Sequence, residues 1–147
     1  MSAARHTILS AVHLFLQKDE DILFLRRYNT GYEDGSFSVV AGHLDGGETI
    51  KTAMIREAEE EVGITIQPED LAVIGVMHRL SEDERIDWFL HTSKWEGEIS
   101  NREPHKCDLL EWFPLEQPPE NVIPYIQRAL KNFRENSWFD SFGFPDV

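Results

Sequence analysis

The stretch GHLDGGETIKTAMIREAEEEVGI, Gly42 to Ile64, decides how this chain is read. Its second half predicts a helix over Thr49–Val62, because Met54, Ile55, Ala58 and Val62 recur at helical spacing and Gly63 supplies a stop. At about 100° per residue, Glu57, Glu60 and Glu61 fall within a third of the circumference, whereas Glu59 points nearly the other way. The three clustered carboxylates border the apolar stripe and so sit at the edge of a core. Two readings are open. A run of glutamates is most often a solvated acidic face. Like charges held this close otherwise call for a cation between them, and carboxylate oxygens suit Mg²⁺, Mn²⁺ or Ca²⁺ rather than zinc. Two neighbours favour the cation: Arg56 can hold one carboxylate in place, and the loop containing Gly42, Gly46 and Gly47 lets backbone groups approach an ion or phosphate closely.

Working outward, Thr7–Gln17 and Ile22–Tyr28 are rich in branched and aromatic residues. They predict two strands joined as a hairpin by the polar turn Lys18–Asp21. Asn29–Gly35 (NTGYEDG) is turn chemistry, and Ser36–Ala41 is a short strand leading into the glycine loop. Beyond the helix, Leu71–His78 and Ile86–Ser93 predict two strands around the acidic turn Ser81–Glu84. Leu109–Phe113 is a further strand, and Val122–Phe133 is a second amphipathic helix after the Pro118-Pro119 break. This order favours an α/β sandwich on a mixed sheet over a doubly wound parallel fold. The aromatic tail, about residues 137–147, is expected to pack on the domain or on a partner subunit.

The 147 residues match one ordinary domain, so 1–147 is read as a single unit. Apolar residues make up 41%, enough for a core without disulfides. The lone Cys107 excludes an internal disulfide framework and any multi-thiolate zinc site, and it fits a reducing compartment. No apolar run approaches a membrane span, and Met1–Arg5 does not begin a secretory signal, so the cytoplasm is the expected location. With 14 Lys and Arg against 27 Asp and Glu, the net charge of −13 argues against nucleic-acid polymers and anionic membranes. The same charge would argue against a small phosphorylated ligand, were part of it not concentrated in a cluster that calls for divalent cations.

The Gly42–Ile64 stretch resembles the signature of the Nudix hydrolases, with the pattern's fixed positions at Gly42, Glu48, Arg56-Glu57, Ala58, Glu60-Glu61, Gly63 and Ile64. Only Ala58 is small for its aliphatic slot. The resemblance runs from Thr7 to about Leu130 and implies an α/β/α sandwich with a mixed sheet. It implies cleavage of a nucleoside diphosphate linked to another group, with Mg²⁺ (Mn²⁺ as an alternative) as cofactor. By resemblance, Glu57, Glu60 and Glu61 are metal ligands, joined by the Ala41 carbonyl, and Glu57 or Glu61 serves as the base. Val40 stands where the family often has proline. Arg56 and Glu48 look like the ion pair that orients helix against loop. After Trp95-Glu96-Gly97-Glu98, Glu103 best matches a further metal-binding acid, ahead of Asp108 and Glu111.

In MutT-like members an arginine matching Arg27 contacts phosphate, and an asparagine matching Asn121 reads the base. An exposed strand-end charge and a helix N-cap are the equal alternatives for these two residues. Tyr32 is placed to flank a nucleobase. His43 lies in the signature loop within reach of a phosphate, at a position the pattern leaves variable; His6, His13, His78, His91 and His105 show no ligand spacing and read as surface or packed residues, and Trp88, Phe89, Trp95 and Trp112 suit core packing.

The expected activity is hydrolysis of a nucleoside or deoxynucleoside triphosphate, oxidised ones included, to monophosphate and pyrophosphate. Nucleotide sugars, dinucleoside polyphosphates, NADH and ADP-ribose are alternative substrates. Alternatives of other classes are a nucleotide-sensing module that does not cleave, against which the complete glutamate set speaks, and an acidic Ca²⁺-binding or interaction domain. The expected partner is a small nucleotide, and the expected state is monomer or homodimer.

Overall fold

The computed structural model describes residues 4–145; Met1–Ala3 of the leader reading and Asp146–Val147 of the tail lie outside it. The strands are β1 (Leu9–Lys18), β2 (Asp21–Arg27), β3 (Phe37–Ser38), β4 (Val40–His43), β5 (Ala72–Leu80), β6 (Glu84–Thr92), β7 (Cys107–Pro114) and β8 (Phe139–Phe142). The helices are α1 (Ile50–Val62) and α2 (Pro124–Arg134). β1 is the hub. It pairs in parallel with β6 and antiparallel with β4, while β6 passes the ladder to β5 and β5 to β8. The sheet is mixed and carries one helix on each face, as expected of an α/β/α sandwich.

The alternation along β1 explains the layers. Val12, Leu14 and Leu16 face one side, where they form a core with Ala53, Met54, Ala58 and Val62 of α1. Phe15 faces the other side and packs with Phe89, Met77 and the α2 residues Ile126, Ala129 and Leu130. Ala58 is fully buried at this contact, so its small side chain lets α1 lie close to the sheet. Helix α1 starts where Thr49 Oγ1 accepts from the Thr52 amide at 3.1 Å. It stops at Gly63, whose φ of 74° a side chain rarely adopts.

Three expectations change in detail. The hairpin of β1 and β2 holds only at its turn, through Gln17↔Ile22 and Lys18↔Asp21; β2 then leaves to pair with β7 and β3. The expected strand Ser36–Ala41 is two strands, because the chain turns from β2's edge to β1's edge at Val39. The tail adds β8 in parallel to β5.

Candidate active site

Helix α2 covers only part of its face of the sheet. The uncovered part is the floor of a cavity of about 950 Å³. One wall comes from α1 and the strand it packs on. Ala41, Glu57, Glu60 and Glu61 line this wall, and Glu103 lines the cavity from the segment before β7. Glu59 is exposed and does not line it, as the helical arithmetic requires. Of the three acids offered for the further position, Glu103 reaches the cavity. Asp108 is instead tied to Arg26 at 2.8 and 3.2 Å, and Glu111 is exposed on β7.

Glu61 is the most unusual group here. Its Oε2 is buried without a hydrogen-bond partner among the described residues. Burial pushes its pKa well above the usual carboxylate range, and Glu57 and Glu103 push the same way, while the Ala41 backbone opposes them. An orphaned carboxylate oxygen facing two further acids and a backbone is costly unless a cation or proton sits there. The donors are all oxygen, which suits a hard divalent ion. Among the described residues no three His, Cys, Asp or Glu side chains are grouped tightly enough to hold a metal ion. Glu57 in particular is turned to Arg56, at 2.8 Å.

Arg56 ties helix to loop. It donates to Glu48 at 2.8 and 3.2 Å, to Glu57 at 2.8 Å and to the His43 carbonyl at 3.2 Å. Glu48 accepts in turn from the Asp45 amide at 2.7 Å, and the Arg56 hydrogen bond holds its pKa below the usual range. Neither Arg56 nor Glu48 lines the cavity; they hold its wall. Gly42 leaves room for the Glu57 carboxylate, whose present position a β-carbon there would displace.

The 29–35 loop also borders the cavity, through Asn29, Thr30 and Tyr32. It is stapled by Asp34, which accepts from the amides of Thr30 and Gly31 and from Thr30 Oγ1. Arg27 lines the cavity, but its guanidinium is engaged by this loop, through the Tyr32 carbonyl at 2.6 Å and Thr30 Oγ1 at 3.0 Å. Tyr32 lines the cavity beside it, its ring 5.1 Å from the Arg27 guanidinium carbon.

Asn121 does not reach the cavity, and it does not cap α2 either. Its amide nitrogen donates to the Gly35 carbonyl at 2.7 Å, and the cap position belongs to Ile123, followed by Pro124. The cap expectation for Asn121 is corrected: the chain takes its register there from the β3 bridge Phe37↔Val122, and the side chain is tied to the 29–35 loop.

The sequence reading placed His13 only among surface or packed residues and did not single out Arg79, Asp87 or Tyr125. His13, Arg79 and Tyr125 line the cavity, and Asp87 joins their group without reaching it. Asp87 is fully buried and pairs with Arg79 at 2.6 Å, while His13 Nε2 meets the Tyr125 hydroxyl at 2.8 Å. The available signal was a lone Asp and a lone Arg at inward positions of neighbouring apolar strands.

Comparison with known proteins gives a consistent picture. The NUDIX domain profile matches residues 6–134. The 8-oxo-dGTP diphosphatase of Escherichia coli K12 is 30% identical over 127 residues, covering 80% of this chain and 95% of that protein. The ADP-ribose pyrophosphatase of Methanocaldococcus jannaschii is 33% identical over 75 residues, about half of this chain and 43% of that protein. Among solved structures, a MutT NUDIX hydrolase from Burkholderia pseudomallei superposes with a TM-score of 0.78 at 22% identity, covering 86% of this chain and 98% of that one.

Proposed function

The chain belongs to the NUDIX family and is a Nudix hydrolase, and from that premise we propose that it cleaves a nucleoside or deoxynucleoside triphosphate, oxidised forms included, to a monophosphate and pyrophosphate with Mg²⁺. The observation that carries the reading is the buried, unpartnered Glu61 oxygen facing Glu57, Glu103 and the Ala41 backbone at one end of a nucleotide-sized cavity. The resemblance over four-fifths of the chain to an 8-oxo-dGTP diphosphatase supports the substrate class.

In this reading Glu57, Glu60, Glu61 and Glu103, with the Ala41 carbonyl, hold the divalent ion. When bound, the ion neutralises phosphate charge and acidifies the attacking water. Glu57 or Glu61 takes the water's proton. Arg56 and Glu48 keep α1 and the 43–48 loop in register, so the carboxylates are fixed before the substrate arrives. Arg27 and the 29–35 loop border the same cavity, where Arg27 is placed to meet a phosphate on release from the Tyr32 carbonyl.

The test is product identification by mass spectrometry after incubation with a nucleotide panel in Mg²⁺, including triphosphates, ADP-ribose and nucleotide sugars. Wild type should convert a triphosphate to monophosphate and pyrophosphate, and Glu57→Gln and Glu60→Gln should abolish the conversion. Nucleotide binding should weaken sharply in EDTA. Slow turnover of every compound, unaffected by the substitutions, would overturn the proposal.

A further inference from the structure

We propose that Arg79 is a specificity-determining residue of this cavity, reading a base that presents a keto oxygen where adenine presents an amino group. The inference rests on the triphosphate reading above, and it concerns the end of the cavity away from the glutamates.

Arg79 lies on β5 and is only 5% exposed, and that small exposed part lines the cavity. Two of its nitrogens are committed to the fully buried Asp87 on the neighbouring strand, Nε at 2.6 Å and Nη2 at 3.4 Å. One face of the guanidinium lies over the Tyr125 ring, 3.7 Å from its centroid. Tyr125 is fixed in turn. His13 Nδ1 lies 3.3 Å from the Trp88 carbonyl, which can only accept, so Nδ1 carries the proton and Nε2 accepts from the Tyr125 hydroxyl. His13 also stacks on Phe89, with centroids 4.7 Å apart. The guanidinium is therefore held on one edge and one face. Its Nη1 makes no hydrogen bond to any described residue.

A buried ion pair is poor evidence of stabilisation, because desolvation consumes most of the attraction. What this pair does is fix the direction of a donor. Guanidinium nitrogens only donate, so the partner must accept. Because Asp87 matches the charge of Arg79, the group offers a directed donor and little net positive field, which suits a neutral base acceptor better than a phosphate. Its place agrees. His43, Ala11 and Asp87 lie in one row across β4, β1 and β6, so Asp87 stands two interstrand steps, about 10 Å, from the strand beside the glutamates. A nucleotide with phosphates at β4 would extend its base toward this floor. Hypoxanthine and guanine offer O6 and N7 there, whereas adenine would set its amino group against Nη1.

The experiment uses deoxyinosine and deoxyadenosine triphosphates, which differ at that base position. Turnover is measured in Mg²⁺, and binding is measured by calorimetry with Ca²⁺ in its place. Wild type should favour the inosine nucleotide by roughly 10- to 100-fold in kcat/KM and in affinity. Arg79→Lys, which keeps charge but loses the fork, should shrink that ratio. Arg79→Leu combined with Asp87→Leu, which leaves neither charge unpaired, should bring it toward unity; urea melts check that both variants fold, and the lysine variant alone carries the test if the double variant does not. A wild-type ratio near one, a preference that survives both substitutions, or a loss shared equally by the two bases overturns the proposal, the last by marking a phosphate contact. An Arg79-dependent preference in binding without turnover keeps the proposal and overturns the hydrolysis reading. Turnover without such a preference does the reverse, and binding of neither nucleotide overturns both.

Discussion

Replacing Arg56 by alanine should cost the fold about 3 kcal/mol and the site its activity. Arg56 is 27% exposed, and the two carboxylates it serves most closely, Glu48 and Glu57, are 13% exposed each. A hydrogen bond to a charged group contributes roughly 1.5–3 kcal/mol. Removing the guanidinium strips three such bonds from two largely desolvated acids. Partial solvation and the surviving Asp45 amide on Glu48 keep the total well below a simple sum. Arg56→Lys should recover a minor share, because a point charge cannot fork across both acids. Urea denaturation at pH 7 gives the stability, and kcat/KM on the best triphosphate gives the activity. If Glu57 holds the ion as proposed, Mg²⁺ should restore part of the lost stability in Arg56→Ala, but not the part due to Glu48. A loss under about 0.5 kcal/mol with kcat/KM unchanged would show the ion pair to be screened surface decoration and would refute the reasoning.

Other outcomes follow from the same geometry. Gly42→Ala should leave the melting temperature close to wild type, because the colliding atoms are the end of a flexible side chain, yet lower kcat/KM by displacing Glu57; wild-type turnover would contradict this. Gly63→Ala should cost roughly 1–2 kcal/mol in urea melts, since φ is 74° there and the new β-carbon meets the Arg102 guanidinium. Burial lowers the His13 pKa from 6.5 to about 4, the nearby Asp87 pulling up and Arg79 pushing down. Its share of stability is therefore complete above pH 6.5 and is lost as pH falls toward 4, about 3 kcal/mol in all at 1.36 kcal/mol per unit. Wild type should lose that much more than His13→Asn between pH 7 and pH 4, and equal losses would contradict the assignment.

The glutamate helix was legible because its chemistry is local. Helical spacing alone put Glu57, Glu60 and Glu61 on one side and Glu59 on the other, and the cavity wall has that arrangement. The ion pair of Arg56 with Glu48 was implied by the family resemblance rather than by spacing, and it is present. What escaped depends on contacts distant in sequence. Asn121 sits where a cap belongs, but the bridge Phe37↔Val122 decides where it points. β8 is four residues without alternation, and it becomes a strand only because β5 offers an open edge. Arg79 and Asp87 have ordinary neighbours in sequence, and only the β5–β6 register brings them together.

The hub position of β1 carries a consequence for the order in which the molecule comes into being. Val12 pairs with Trp88 in parallel and with Gly42 antiparallel, so β1 waits for a partner made well after it. Contacts that bridge so much chain must close a large loop before they return any free energy, and parallel pairing is slow for that reason. The cavity floor, made from β1, β5 and β6, cannot exist until β6 has left the ribosome, although the glutamate helix is complete much earlier. During that interval the acids of α1 have only part of their sheet and no finished cavity. Refolding followed by a nucleotide-binding probe should therefore lag behind refolding followed by helix signal, the binding site arriving last.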